Sequence, residues 1–94
     1  MRDHPKNMKY CVYILYSEKW KRYYVGQTQD FELRLIRHNK GLVQSTKGGV
    51  PWVLKRKIEV GNRSEAMKLE TKVKKRGIRR FLNDNQFGVY HAQA

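Results

Sequence analysis

An unbroken apolar run, YCVYILY, occupies residues 10–16 and limits the possible folds more than any other part of the sequence. The run is β-branched and aromatic with no polar interruption, which is typical of a strand covered on both faces. Residues 17–21 (SEKWK) supply a polar turn, and residues 22–26 (RYYVG) predict the returning strand. The sequence therefore predicts a β-hairpin with helices packed on its sheet.

One helix and one further strand follow the hairpin. Asp30 is a favourable N-cap, and the helix that it opens runs to about residue 40, with Gly41 just after its end. A cationic loop at residues 44–49 comes next. Residues 52–59 then predict a third strand, whose apolar positions are Trp52, Leu54 and Ile58.

Two more helices complete the chain. Ser64 predicts the cap of a second helix that runs to about Arg76, and a short third helix follows Gly77. Its apolar positions are Ile78, Phe81 and Leu82. The order is β-β-α-β-α-α, so we expect an α+β domain with a three-stranded antiparallel sheet flanked by helices.

The length of 94 residues allows one small domain. We expect a flexible lead-in at residues 1–9, the domain at 10–85 and a C-terminal tail at 86–94.

No run approaches the ~20 apolar residues of a membrane span, and no apolar stretch of signal-peptide type is present. The sequence thus predicts a cytoplasmic protein with no membrane partner and no separate cofactor domain. Its oligomeric state is left open.

Charge indicates the partner. Lys and Arg total 21 against 8 Asp and Glu, a net charge of +13. A small domain with this net charge is expected to bind a polyanion, because each phosphate that its cations neutralise releases counterions. We expect DNA as the partner, with RNA as an alternative.

The single cysteine, Cys11, excludes an internal disulfide and is expected to pack in the core.

Two tyrosines of the hairpin form the first candidate site. Positions 13 and 24 sum to 37, so a symmetric turn between residues 16 and 21 would place Tyr13 directly opposite Tyr24 on one face. By itself this is also an ordinary aromatic pair. Gly26 ends the strand either as a turn residue or to admit a close approach.

The first helix adds Arg34 and His38. They are four residues apart and so share a face, next to Phe31 and Leu35. Arginine offers a forked donor matched to phosphate, and histidine a proton acceptor near neutrality. The same spacing also describes a solvated surface pair.

Glu70 lies within the apolar stripe of the second helix, which comprises Ala66, Met67, Leu69 and Val73. A carboxylate there needs a partner or a metal ion. One alternative is a structural salt bridge with a nearby cation. The other is a lone ligand for one Mg²⁺ or Mn²⁺ ion, which prefer oxygen donors and keep several waters.

Cations surround Glu70 and continue into the loop before the third strand. We expect them to hold a nucleic-acid backbone without reading sequence. They are Lys47, Lys68, Lys72, Lys74, Lys75, Arg76, Arg79 and Arg80.

The joint order of these residues resembles the GIY-YIG nuclease family over about residues 10–83. Val12-Tyr13-Ile14 stands in the place of the first triplet, and Tyr24-Val25-Gly26 is a close version of the second. The stretch from Gly26 through Arg34 to His38-Asn39 is similar to short stand-alone bacterial proteins related to the N-terminal nuclease domain of the excinuclease UvrC. Pro51-Trp52 and the segment from Ser64 to Glu70 continue the likeness.

The chain departs from the family pattern in two places. Cys11 or Val12 replaces the glycine of the first triplet, and two candidates, Asn83 and Asn85, exist for the family's late asparagine.

The resemblance implies a divalent-metal-dependent endonuclease acting on DNA, in repair or recombination. Glu70 would hold the ion, Arg34 would stabilise the phosphate and Tyr13 would activate or orient water, with its pKa lowered by nearby positive charge. Tyr24 and His38 would position phosphate and water, and His38 is a second candidate for proton transfer. The alternatives are a non-catalytic nucleic-acid-binding module on the same fold and a basic protein acting on RNA or the ribosome.

Overall fold

The fold is an antiparallel sheet with one helix on one face and two on the other, in a computed structural model that describes residues 9–84. The strands are β1 (Tyr10–Ser17), β2 (Arg22–Thr28) and β3 (Trp52–Val60), arranged in the order β2-β1-β3. The helices are α1 (Phe31–Asn39), α2 (Arg63–Arg76) and α3 (Ile78–Asp84). The α+β class and the order β-β-α-β-α-α are confirmed.

The expected lead-in at residues 1–9 falls almost wholly outside the described residues, and the expected tail at residues 86–94 falls entirely outside them. Within residues 9–84, no helix is long and apolar enough to cross a membrane.

Strand β1 is the central strand and is buried on both faces, as its unbroken apolar pattern predicts. Val12 and Ile14 join a core cluster with α2 and α3, while Tyr13 and Leu15 join a second cluster on the α1 face. Because neighbouring residues of a strand point to opposite faces, this one strand divides the molecule into two cores.

The register of the hairpin differs from the expected one. Ser17 pairs with Arg22, so Tyr13 lies opposite Gly26, and Tyr24 lies opposite Leu15. The expectation that the two tyrosines are direct cross-strand partners is therefore wrong. The register is displaced by two residues from the expected one. Because side chains alternate between the two faces of a strand, a shift of two residues leaves both tyrosines on the same face, as diagonal neighbours.

Two helix ends form as the sequence predicts. The Asp30 side chain accepts from the Leu33 amide at 3.1 Å, capping α1. At the other end Gly41 has φ +75, and its amide and that of Leu42 donate to the carbonyls of His38 and Arg37. This is the Schellman arrangement, and it fixes the last turn of α1, which carries His38.

Helix α2 begins earlier than expected. Its N-cap is Asn62, not Ser64, because the Asn62 side chain accepts from the Glu65 amide at 2.8 Å. The Glu65 carboxylate in turn accepts from the Gly61 amide at 2.9 Å, so the pair resembles a capping box. Ala66, Leu69 and Val73 are buried as expected.

Two residues assigned to apolar faces are exposed instead. Met67 is half exposed on α2, and Leu54 is exposed on β3. A register irregularity in β3 places Leu54 opposite Leu15 and Arg56 opposite Ile14, so Lys55 is the extra residue of a bulge. An edge strand that is bulged in this way does not keep a strict alternation of buried and exposed positions.

Candidate active site

Tyr13 is the centre of the candidate site. It projects from the central strand to the α1 face and is 2% exposed. Its ring packs against Phe31 of α1 with centroids 5.5 Å apart. The side chain is therefore held by the sheet on one side and by α1 on the other.

Gly26 admits the Tyr13 ring. A Cβ atom at position 26 would lie 2.6 Å from the Tyr13 hydroxyl oxygen and 2.8 Å from the ring carbon that bears it. Such distances are far below van der Waals contact, and Gly26 is in the strand, directly opposite Tyr13. Gly26 thus admits a close approach, by the Tyr13 side chain and not by a backbone or a ligand, and this depends on the register of the hairpin.

His38 is fully buried and is bonded through both ring nitrogens. Nε2 lies 3.0 Å from the Tyr13 hydroxyl, and Nδ1 lies 2.8 Å from the Thr46 hydroxyl. The Thr46 hydroxyl also donates to the Val43 carbonyl at 3.4 Å. Because that hydroxyl has one proton, it accepts from His38 Nδ1–H, and this leaves His38 Nε2 as the acceptor for Tyr13 O–H.

Burial sets the protonation states of this pair. Desolvation raises the pKa of Tyr13 and outweighs the opposing charge of Arg34, while Tyr24 raises it further. Desolvation lowers the pKa of His38, and Arg34 lowers it as well. The expectation that positive charge brings the Tyr13 pKa down is wrong, because burial outweighs that charge. At neutral pH Tyr13 keeps its proton, and His38 is a neutral acceptor.

Tyr24 completes an aromatic cluster on this face. Its ring centroid lies 6.4 Å from that of Tyr13, 5.2 Å from that of His38 and 6.2 Å from that of Trp52. It is half-buried, and its hydroxyl has no hydrogen-bond partner within residues 9–84. The side chain is thus fixed at its ring and open at its hydroxyl.

Two residues that the sequence did not single out as site residues hold the loop after α1. Asn39 donates to the Trp52 carbonyl at 3.1 Å and accepts from the Trp52 amide at 2.6 Å, so it joins the end of α1 to the start of β3. Trp52 Nε1 donates to the Thr46 carbonyl at 2.9 Å. These bonds bring Thr46 back to His38.

Replacing Asn39 by Ala is expected to destabilise the protein by about 1–3 kcal/mol, because the Trp52 amide is left without its acceptor. Urea unfolding measures the change. Lys40→Ala, at the exposed neighbouring position, is the control and is expected to stay within about 0.5 kcal/mol of the parent protein. Equal stabilities of the two variants would contradict the bracing role of Asn39.

Arg34 is half-buried and lies one turn before His38 on α1. Its charge lowers the pKa of both residues, which places the guanidinium within electrostatic reach of each. Its side chain makes no ion pair with a carboxylate within residues 9–84. Phe31 and Leu35 on the same helix face join the core, as the spacing predicts.

Glu70 reaches the edge of the sheet from the opposite face. Its Oε1 accepts from Gln27 Nε2 at 3.0 Å, and its Oε2 lies 3.0 Å from Lys74 Nζ, with the Glu70 side chain 20% exposed. Gln27 neighbours Gly26 in β2, and the Glu70 charge raises the pKa of Tyr13. The half-buried carboxylate is therefore electrostatically coupled to the tyrosine, and the salt bridge to a nearby cation, one of the two alternatives, is present.

The cations expected to hold nucleic acid are all exposed. Lys47 lies in a short 3₁₀ turn (Lys47–Gly49), and the others lie on α2 and α3. Arg76 is bonded to Asp84 through two nitrogens at 2.7 and 3.0 Å, so its charge is partly compensated. Asn83 is exposed in α3, and Asn85 lies outside the described residues.

The structure thus joins Tyr13, Tyr24 and His38 directly, and it places Arg34 and Glu70 within charge reach of Tyr13. The sequence does not indicate the roles of Thr46 and Gln27. A threonine eight residues beyond His38 and a glutamine after Gly26 carry no local pattern, since their contacts arise only from the tertiary fold.

Comparison with known proteins identifies the family. A family model described as the GIY-YIG catalytic domain matches residues 9–81, which is most of the chain. Comparisons with curated proteins and with solved structures return no significant match.

Proposed function

The chain belongs to the GIY-YIG catalytic domain family, and on that basis we propose that it is a divalent-metal-dependent endonuclease that hydrolyses DNA phosphodiester bonds. The observation that carries the proposal is the hydrogen-bonded chain from Tyr13 through His38 to Thr46, next to the Arg34 guanidinium. A buried hydroxyl needs an acceptor in any role, but here the acceptor is a histidine held in one tautomer, with a half-buried arginine one turn earlier on the same helix.

The proton path follows from the tautomer of His38. A water molecule beside Tyr13 gives a proton to the phenolic oxygen as the Tyr13 proton passes to His38 Nε2. The water oxygen forms a bond to phosphorus, the bond from phosphorus to the leaving oxygen breaks, and the leaving oxygen takes a proton from solvent water. Thr46 accepts from Nδ1–H throughout and stabilises the imidazolium that forms. His38 then returns its proton to the Tyr13 oxygen, which passes the proton taken from the water on to solvent.

Arg34 and Tyr24 act on the phosphate in this proposal. The Arg34 guanidinium neutralises charge that develops on the non-bridging oxygens, and the Tyr24 hydroxyl orients the group. Both side chains lie on the face that carries Tyr13.

Glu70 has the chemistry of a single-carboxylate metal ligand. Mg²⁺ is usually bound by one or two carboxylates with waters and substrate phosphates, and a partly exposed Glu70 beside the Gln27 amide fits that donor set. When bound, Mg²⁺ or Mn²⁺ would supply Lewis-acid stabilisation of the leaving oxygen. The Lys74 ammonium group is paired with Glu70 Oε2, and an ion bound to that oxygen would displace it.

A second candidate function is a non-catalytic nucleic-acid-binding module on the same fold. The Glu70–Lys74 ion pair favours it, because a carboxylate neutralised by lysine needs no metal ion. We prefer the nuclease because the binding module gives no use to the Tyr13–His38 bond. We further propose kinship with the nuclease domain of the excinuclease UvrC and a role in DNA repair or recombination, as the motif from Gly26 to Asn39 suggests.

The test is to incubate the purified protein with nicked, branched and single-stranded DNA, and with matched RNA, in Mg²⁺ or Mn²⁺. The nuclease predicts cleavage of DNA that EDTA abolishes. The binding module predicts salt-sensitive binding without cleavage.

The pH dependence of cleavage tests the proton path. His38 accepts only when neutral, and its lowered pKa keeps it neutral above about pH 6.5, so we expect a level rate between about pH 7 and 8 at saturating Mg²⁺. In His38→Ala, Tyr13 must lose its proton to solvent. Because burial raises its pKa, the rate should then rise about tenfold per pH unit.

Thr46→Ser, which retains the hydroxyl, is the matched control for this profile and should stay level with pH. A His38→Ala variant whose rate is also level with pH would contradict the proton path.

A further inference from the structure

Trp20 is a large aromatic residue at the tip of the β1–β2 turn, and it is 40% exposed. The residues around it are polar or charged, and Lys19, Lys21 and Arg22 are all exposed. An indole left open to solvent in such a turn does not serve the core alone.

The indole is nevertheless held in place. A Cβ atom at Gly48 or Gly49 would lie 2.7 or 2.8 Å from its ring atoms, so only glycine allows the loop to pack against it. Its ring also meets Trp52 nearly edge-on, at 87° with centroids 6.0 Å apart. The ring is therefore an exposed surface of fixed position.

The backbone beneath Trp20 is fixed as well. The Trp20 amide donates to the hydroxyl of buried Ser17 at 3.0 Å, and that hydroxyl donates to the Gly49 carbonyl at 2.6 Å. Through these bonds the hairpin turn and the 3₁₀ turn form one unit.

Trp20 is continuous with the candidate active site. Trp52 contacts both Trp20 and Tyr24, with ring centroids 6.0 and 6.2 Å away, and Tyr24 contacts His38. Trp20 and Arg22 also line a hollow of about 300 Å³, at the lower end of the size range of ligand pockets. An aromatic residue and an arginine thus line one open hollow, and the aromatic cluster joins it to the candidate site.

We propose that Trp20 and Arg22 form a subsite for one unpaired nucleotide of the substrate, with the base stacked on the indole and its phosphate held by Arg22. Aromatic rings stack on bases of any sequence, and arginine contacts the adjacent phosphate. The net charge of +13 supplies the attraction for the rest of the strand.

This subsite rests on the proposed nuclease function and defines its substrate class. Base faces inside a duplex are already stacked on their neighbours, so an indole at the protein surface reaches only an unpaired or extruded base. The preferred substrate then has at least one unpaired nucleotide beside the cleaved bond, as at a branch or a single-stranded end.

The experiment compares two single strands of equal length and charge in EDTA, one of oligodeoxythymidylate and one with the same backbone but no bases. We expect the parent protein to bind the strand with bases about 5- to 160-fold more tightly, the range of one stacked base. Trp20→Ala should reduce this preference below about twofold, whereas Trp20→Tyr should retain most of it.

Lys19→Ala is the matched control, an exposed cation in the same turn, and should keep the preference for bases. Arg22→Ala should weaken binding of both strands alike. Thermal unfolding of each variant verifies folding, and the comparison of the two strands with the parent protein needs no variant at all.

Equal affinity of the parent protein for the two strands, with cleavage of branched DNA intact, would overturn the subsite alone. A preference for bases that survives in Trp20→Ala would overturn it too. Failure of the parent protein to bind either strand would contradict both the proposed function and the subsite.

Discussion

Glu70→Gln is expected to lower the rate of divalent-dependent DNA cleavage by at least about a hundredfold, because it removes the carboxylate proposed to hold the ion. Glutamine has nearly the same shape and can keep the contact with Gln27, which is 3.0 Å in the parent protein. Binding of DNA in EDTA should be unchanged or tighter, since one negative charge is lost. Single-turnover cleavage and fluorescence anisotropy measure the two effects.

Glu65→Gln provides the matched control for this experiment. Glu65 lies on the same helix, is exposed, and accepts a hydrogen bond from the Gly61 amide. Its replacement should leave cleavage close to that of the parent protein. Lys74→Met, which frees Glu70 Oε2, should strengthen Mn²⁺ binding in calorimetry. Undiminished cleavage by Glu70→Gln would refute the metal role of Glu70.

Gly26→Ala should produce the second large effect, a loss of at least about a hundredfold in cleavage rate. The new methyl group would lie 2.6 Å from the Tyr13 hydroxyl. Tyr13 is in the central strand, paired on both sides, so its backbone cannot move away and its hydroxyl must leave His38. Overpacking of this kind also costs about 1–3 kcal/mol of stability.

Cleavage kinetics and urea unfolding of Gly26→Ala measure both consequences. Gly61→Ala is the control, because a Cβ atom there would meet only the end of the flexible Glu65 side chain, at 3.1 Å. It should cleave at the parent rate. A folded Gly26→Ala protein with parent kinetics would show that the position of the Tyr13 hydroxyl does not matter for the reaction.

Much of this fold could be predicted from local patterns in the sequence. The apolar run of β1, the Asp30 cap and the Gly41 end of α1 each depend on residues close together in the chain, and each forms as expected. The pairing of Arg34 and His38 on one helix face belongs to the same class, because helical spacing alone determines it.

The register of the hairpin could not be predicted in the same way. The turn has Lys21 at φ +57 and closes with the Lys21 amide donating to the Ser17 carbonyl at 2.7 Å, and no glycine or asparagine in residues 18–21 signals that conformation. The pairing of Ser17 with Arg22, and so of Tyr13 with Gly26, follows from this turn. The sequence places the two tyrosines on one face but does not show which residue faces which.

The protonation state of Tyr13 likewise could not be predicted from the sequence. Arg34 lies close by, as expected, but burial by the sheet and α1 outweighs its charge, and burial is a property of the packed fold. The same holds for Glu70, whose Gln27 partner is 43 residues distant. Local pattern identified the candidate residues, and tertiary packing determines their chemistry.

A crystal structure of the protein with Mn²⁺, in which anomalous scattering locates the ion, would decide between the nuclease and the binding module. We predict one ion bound to Glu70 on the side facing Tyr13 and Arg34, with Lys74 displaced from Oε2. Glu70 still paired with Lys74 at saturating Mn²⁺, with no ion beside it, would contradict the proposed nuclease and favour the non-catalytic binding module.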